Sequence, residues 1–485
     1  MYLGLDLGTS ELKALLLSDD HRVIAVAHEP LTVHNPQPLW AEQDPHSWWQ
    51  ALESVMNQLA ASHRTALSAV RAIGLSGQMH GAVLLDAANK VLRPAILWND
   101  GRSGAACVAL TQAVPDLAEI TGNLAMPGFT APKLWWLREK EPEIFRQTAR
   151  VLLPKDYLRL LLTGEAVTDC SDASGTLWLD VGARCWSDKL LAACGLNESH
   201  MPRLVEGSEV SSGLSATVAA RWGLRTGLPV AGGGGDNAAS AVGMGVVSAG
   251  QGFVSLGTSG VVFLATDSFR PNPAQAVHAF CHALPQRWHQ MSVMLSAASA
   301  VSWATKLLRF DNEAALLQAA AQLSPRERAT APLFLPYLSG ERSPHNNPQA
   351  QGVLFGLTHA HHAAAIAYAV VEGVNFGLYD GWRTLATDQP VRTLSVVGGG
   401  ARSAWWSQEL ASTLGVPLVT QEGGATGGAL GAARLAWLAD GGAEAHVCLS
   451  PPVAQRFEPT APGAAETERY PRFKALYTSL RSSFM

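Results

Sequence analysis

The chain has 485 residues and a mass of 51.3 kDa, too long for a single core. A net charge of −5 and a sequence pI near 6.3 argue against a nucleic-acid partner, which needs a basic face. No apolar run reaches the roughly eighteen residues of a membrane span, and the six cysteines (Cys107, Cys170, Cys185, Cys194, Cys281, Cys448) are scattered without a CxxC pair, as in reduced cytoplasmic proteins.

In chain order, MYLGLDLG enters a strand pattern at once, with no basic n-region or cleavage site, so a cytoplasmic protein is expected. Residues 2–28 read as three strands, YLGLDLG, LKALLL and RVIAVAH, joined by a Gly-Thr turn and an Asp-Asp turn. A helix follows at 45–62, then a strand AIGLS running into SGQMHG at 76–81, and a polar loop WNDGR at 98–102. At 228–239, LPVAGGGGDNAA takes a buried strand through glycines to a carboxylate. Periodicity is lost and glycine gained over 240–250, which predicts two domains, 1–245 and 246–485. The second half opens with GFVSLGTSGVVFLA at 252–265, two apolar strands around a second Gly-Thr turn. A long helix at 363–386, a strand–glycine junction LSVVGGGARSAWW at 394–406 and a glycine-rich helix start at 423–433 complete it. Alternating β and α signals predict α/β layers, and an internal duplication accounts for LGTS occurring twice, about half the chain apart.

Each LGTS turn offers backbone N–H groups and two hydroxyls at a strand end, Thr9 and Ser10 in one copy, Thr258 and Ser259 in the other. Either alone reads equally as an ordinary hairpin. Paired in like contexts, they suit a polyphosphate held between two domains. Asp6 precedes the first turn, where Ser255 stands in the second. One carboxylate beside the phosphates can hold the single magnesium that accompanies a triphosphate, and a second would repel them. Asp236 is placed to accept a proton from a substrate hydroxyl, or else to turn or cap the helix NAASAVGM. Met79 and His80 would face the same cleft, and Trp98 and Asn99 could hydrogen-bond a polyol, unless an Asp100–Arg102 pair satisfies that loop internally. Walker, kinase-loop and GxGxxG motifs are missing. VVGGGARS at 396–403 would then seat adenosine, its three glycines giving close approach and its helix start lying near polar groups. His278, Cys281 and His282 are read as packing, since no second ligand pair supports a metal.

These residues resemble the FGGY carbohydrate kinases nearly end to end, from DLGTS through SLGTSG to GGGARS. The first family signature is matched by GFTAPKLWWLREK at 128–140. The second, GVLFGLTHAHHAAAIAYAVVE at 352–372, departs at Ala365, a position expected on a surface helix. The resemblance implies an α/β fold of two duplicated actin-like, ribonuclease H-like domains flanking a central cleft. SGQMHG, ILWNDGRS and PYLSGERSPHNNP are most similar to the members acting on D-xylulose, which implies ATP and Mg2+ as cofactors and D-xylulose as substrate. It implies Asp236 as general base, Asp6 as organiser of magnesium, and Met79, His80, Asp236, Asn237, Trp98 and Asn99 as sugar contacts, with Gly399, Gly400 and Ser403 on the nucleoside side. Two alternatives stand beside this: a kinase for another ketose or polyol (ribulose, gluconate, glycerol), or an actin-fold sugar sensor without turnover, which would have no need of Asp236. A chaperone-like ATPase would need a further domain, and only about 35 residues follow position 450. The aromatic WWSQEL at 405–410 is compatible with a homodimer face or with buried tryptophan.

Overall fold

The computed structural model describes residues 1–422, 427–460 and 468–484. Residues 2–30 form the expected antiparallel meander: β1 (Tyr2–Leu7), β2 (Glu11–Leu17) and β3 (Val23–Pro30). Helix α1 (Pro45–Ser62) follows. Asp44 caps it by accepting from the His46 N–H at 3.0 Å, and Trp48, Leu52, Val55 and Leu59 recur along its buried side. Strand β4 (Ala72–Gly77) then lies parallel to β1. After α2 (Thr130–Lys140), α3 (Pro154–Thr163) and the short α4 (Cys170–Ala173), the sheet is completed by β5 (Val210–Gly213), β6 (Pro229–Ala231) and β7 (Gly234–Gly235). The half ends in α5 (Asp236–Met244).

The chain crosses to a second sheet over residues 245–251. That half contains β8 (Gly252–Leu256), β9 (Gly260–Thr266), β10 (His278–Cys281), β11 (Trp288–Met294), α6 (Ala298–Leu307) and α7 (Glu313–Ala321). It continues through α8 (Ala363–Trp382), β12 (Leu394–Val397), α9 (Ala404–Leu414), β13 (Leu418–Gln421), α10 (Gly427–Ala439) and β14 (Val453–Phe457). The spatial orders are β3-β2-β1-β4-β6-β5 in the first sheet, with β7 also on β4, and β10-β11-β9-β8-β12-β13-β14 in the second. Apart from β10 and β7 the two orders correspond, with the same antiparallel and parallel pairings at each step. The duplication signalled by the two LGTS turns therefore extends to six strands in each half.

Two expectations are corrected. The long helix stops at Trp382, where the Thr384 hydroxyl turns back to the Gly381 carbonyl at 2.6 Å. Ala365 is not on a solvent face: it is 4% exposed, an apolar residue in an apolar place. Of the two readings of WWSQEL, Trp406 takes the buried one, its indole N–H donating to Asn375 Oδ1 at 2.8 Å. Among the described residues no helix is long and apolar enough to cross a membrane.

The halves are joined most tightly where α5 crosses α10. A Cβ on Gly431 would lie 1.7 Å from the Ala239 carbonyl oxygen, so only glycine allows this approach. Helix α10 also lies on the first sheet, where a Cβ on Gly4 would be 2.0 Å from the Ala429 carbonyl, and Tyr2 stacks on Trp437 at 5.0 Å. Arg434 closes the crossing by donating to the Val242 and Gly243 carbonyls, both at 3.0 Å. Gly431→Ala must push the helices apart and should cost about 1–3 kcal/mol, the usual range for overpacking. Urea unfolding measures it, and a wild-type midpoint would show that the crossing is free to widen.

Candidate active site

Strands β1, β4 and β7 run parallel and adjacent, and their carboxyl ends share one edge. Ligands in open α/β sheets bind at such edges. Register sets the groups there: Asp6 pairs with Ser76, Gly235 pairs with Gly77, and Asp236 is the next residue. Burial pushes the Asp236 carboxyl up to about 6, helped by the negative charge of Asp6 and opposed by hydrogen bonds from Asn237. Asp6 is also raised by burial, against the neighbouring Ser76 hydroxyl and the charge of Lys13. Asp236 does not cap its helix. It is the first residue of α5, Gly235 occupies the cap, and Asp236 Oδ1 accepts from the Asn237 N–H at 2.7 Å and from Asn237 Nδ2 at 3.0 Å. Its Oδ2 has no partner among the described residues. Asp6 Oδ1 is buried without a partner among the described residues, and the first turn of α10 abuts this carboxylate, a Cβ on Gly428 falling 2.5 Å from Oδ2.

His80 is held at three points. Its backbone is left-handed (φ 69°), and its carbonyl accepts from Lys133 Nζ at 2.8 Å and Thr130 Oγ1 at 3.1 Å, both on α2. Its Nδ1 lies 2.7 Å from the Gly175 carbonyl. A carbonyl only accepts, so Nδ1 carries the proton and Nε2 keeps its lone pair. Burial drives the ring's pKa down to about 3, so His80 is a neutral acceptor. Met79 is buried beneath the glycine strand, 2.9 Å from where a Gly235 Cβ would stand. Trp98 and Asn99 are exposed, whereas Asp100 and Arg102 satisfy each other: Arg102 Nη2 reaches Asp100 Oδ2 at 2.7 Å and its guanidinium lies 3.6 Å over Trp40. The internally held reading of this loop is therefore right for Asp100 and Arg102.

The two turns differ. Thr9 donates its hydroxyl to Gln78 Oε1 at 3.0 Å and accepts from Trp98 Nε1 at 2.9 Å. The hydroxyls of Ser10, Thr258 and Ser259 have no partner among the described residues, and the Thr258 carbonyl anchors the start of α6 through the Ala297 N–H at 3.0 Å and Ser299 Oγ at 2.8 Å. Beyond Thr258 opens a cavity of about 620 Å³ walled by α6, α7 and the glycine turn after β12, with Val301, Leu317, Gln318 and Trp405 among its lining residues. Gly399, Gly400 and Ser403 line it as well, and Ser403 Oγ also caps α9 by accepting from the Trp406 N–H at 3.2 Å. Of the glycine-rich 423–433 stretch, 423–426 lie outside the described residues and the rest begins α10.

No group of three His, Cys, Asp or Glu side chains converges as a metal site among the described residues. His278, Cys281 and His282 are packed instead: His278 Nδ1 meets Asn123 Oδ1 at 3.0 Å and His282 Nε2 the Val246 carbonyl at 3.0 Å. Sequence reasoning missed Gln78, although SGQMHG contains it, and Lys133, although the first signature does. It also missed the α6 and α7 walls of the cavity, which no local signal marks.

The FGGY family of carbohydrate kinases matches this chain twice, its N-terminal domain over residues 1–243 and its C-terminal domain over 252–439. The chain is 54% identical over 484 residues to the xylulose kinase of Escherichia coli K12, covering 99% of each. It is 53% identical over 440 residues to that of Klebsiella pneumoniae, covering 90% of each. A solved "xyloylose kinase" from Brucella ovis superposes with a TM-score of 0.94 at 48% identity, covering 99% of both chains. With both family domains matched in order, this chain belongs to the FGGY family of carbohydrate kinases.

Proposed function

We propose that the protein transfers the γ-phosphoryl group of ATP to the terminal hydroxyl of D-xylulose, giving ADP and D-xylulose 5-phosphate. The observation that carries this is Asp236, a carboxylate with a free Oδ2 at the strand ends, in a chain 54% identical throughout to a xylulose kinase. The sugar lies against His80, whose Nε2 accepts a hydroxyl, with Met79 beneath and Asn237, Trp98 and Asn99 at the rim. Asp236 accepts the proton of the attacking hydroxyl as the phosphoryl group arrives. Thr9, Ser10, Thr258 and Ser259 receive the phosphates, and the cavity between α6, α7 and Gly399 takes the adenosine.

Asp6 fits Mg2+: its buried Oδ1 lacks a partner, and an ion that keeps several waters and phosphate oxygens needs only one or two protein carboxylates. When bound, the ion neutralises phosphate charge. The halves 1–245 and 246–485 close on the cleft and exclude water as a competing acceptor.

Coupled ADP release tests the substrate: kcat/KM for D-xylulose should exceed that for ribulose, gluconate and glycerol, and equal rates across the panel would defeat the assignment. Asp236→Asn keeps the shape but not the basicity, so kcat should fall roughly 10²–10⁴-fold while sugar affinity changes less than about tenfold. In the wild type the base works only when deprotonated. With its carboxyl near 6, kcat/KM should fall as pH drops through about 6, approaching tenfold per unit, and a flat acid profile would contradict the role. A Cβ on Gly399 meets nothing within 4 Å, so Gly399→Val projects into the cavity without disturbing the fold. KM for ATP should rise about tenfold with KM for the sugar unchanged; an unaltered ATP KM would move the nucleoside elsewhere.

A further inference from the structure

Beneath the glycine strand lies an ionic cluster that the proposed reaction does not use. Lys155, Asp156 and Arg159 on α3, with Asp169, Ser171 and Asp172 at the start of α4, are all 0% exposed. Lys155 Nζ sits 2.6 Å from Asp156, 2.9 Å from Asp169 and 3.0 Å from Asp172. Burying this many charges is a poor route to stability, since apolar replacements of similar volume often do as well or better. What distinguishes the cluster is where its remaining hydrogen bonds go.

Between Val230, paired with Ile73, and Gly234, paired with Ser76, the chain leaves its ladder with β4. The freed carbonyls are taken by one guanidinium: Arg159 Nη1 donates to the Ala231 carbonyl and Nη2 to that of Gly232, both at 2.5 Å. Nη1 also donates to Ser211 Oγ at 2.6 Å. At the far end, Gly235 N–H donates to Ser171 Oγ at 3.1 Å. The Ser171 hydroxyl itself donates to Asp169 Oδ2, which fixes it as the acceptor for Gly235. Asp169 is in turn held by Lys155 and by the N–H groups of Ser171 and Asp172. Gly233 (φ 81°) threads the gap, a Cβ there falling 2.2 Å from the Leu75 carbonyl. The residue that emerges from this clamp is Asp236.

We propose that Arg159 and Ser171 are positioning residues for phosphoryl transfer, fixing the main chain of residues 231–235 so that the Asp236 carboxylate meets the sugar hydroxyl. This rests on the reading of Asp236 as the base. A carboxylate displaced by about 1 Å loses on the order of 10²-fold in rate while binding changes little. A cluster serving stability alone would, once weakened, lower the unfolding midpoint and leave the turnover of the folded fraction intact.

The test is a set of four enzymes assayed for ADP release with D-xylulose: wild type, Ser171→Ala, Asp236→Asn and the double variant, with thermal melts of each. Ser171→Ala deletes the acceptor for Gly235 and leaves Lys155 with its carboxylates. Its kcat should fall about tenfold or more with both KM values within about twofold, and in the Asp236→Asn background the same change should cost less than about twofold further. Should Ser171→Ala not fold, Arg159→Lys keeps the charge, loses the two-pronged grip on the carbonyls and should show the same kcat-selective loss. A folded Ser171→Ala at wild-type kcat beside an inert Asp236→Asn overturns the positioning role alone, as does full additivity in the double variant. An Asp236→Asn enzyme that keeps its turnover overturns the base reading and this inference together.

Discussion

Helices α5 and α10 cross at a distance that leaves no room for a Cβ at Gly431, and both carboxylates of the site depend on that crossing. Asp236 is the first residue of α5, and Asp6 abuts the first turn of α10. The crossing thus bears on both acids at that one sheet edge. It also couples the halves: α10 belongs by sequence to the second, yet packs on β1 and β4 of the first. Any rotation of one half against the other must pivot near this contact, because small residues packed at main-chain distance slide poorly and cannot separate without opening a void.

Burial then sets the charge of the site. It raises Asp236 to about 6 and Asp6 above its ordinary range, lowers His80 to about 3, and brings Lys133 down to about 7 despite the nearby charge of Asp100. The direction is the same throughout, toward the neutral form. An uncharged polyol is suited to such a lining, where a neutral imidazole with a fixed tautomer and a carboxylate of raised basicity both accept hydroxyl protons. Water is the competitor for those acceptors, and the burial that raises Asp236 is the same burial that excludes it.

Much of this was legible in the sequence, and what was not shares a cause. Period-two and period-3.6 patterns located β1–β3, α1 and the β8–β9 pair because those segments bury one face against their own neighbours. Asp236 was visible because glycines on a strand leave few uses for a following acid. Lys155, Arg159, Asp169 and Asp172 were invisible as a cluster: charges in PKDYLRLLLTG and VTDCSDASG look solvated until α3 and α4 turn them on one another. Ala365 was misjudged for the converse reason, since a residue's burial is decided by distant elements packed over it. The adenosine-sized cavity draws its walls from α6, α7 and α9, whose meeting has no local signature.

The two LGTS turns began as copies, and their present differences follow from what lies behind each. Asp6 faces Ser76, a hydroxyl that can hydrogen-bond a carboxylate, whereas Ser255 pairs with Val397, which cannot. An acid at position 255 would therefore lie beside an apolar side chain where Asp6 lies beside a hydroxyl. Thr9 has its hydroxyl proton committed to Gln78 and is covered by Trp98, and Gln78 is itself tied to Gln43 at 3.0 Å, so the first turn is braced from behind as part of a rigid wall. Thr258 is anchored through its carbonyl, and its hydroxyl, like that of Ser10 in the first turn, has no partner among the described residues. The brace at Thr9 ties the first turn to the Trp98 loop, and the Thr258 carbonyl ties the second turn to the start of α6. The duplicated turns have thus come to differ in what fixes them, a side-chain hydroxyl in the first and a main-chain carbonyl in the second.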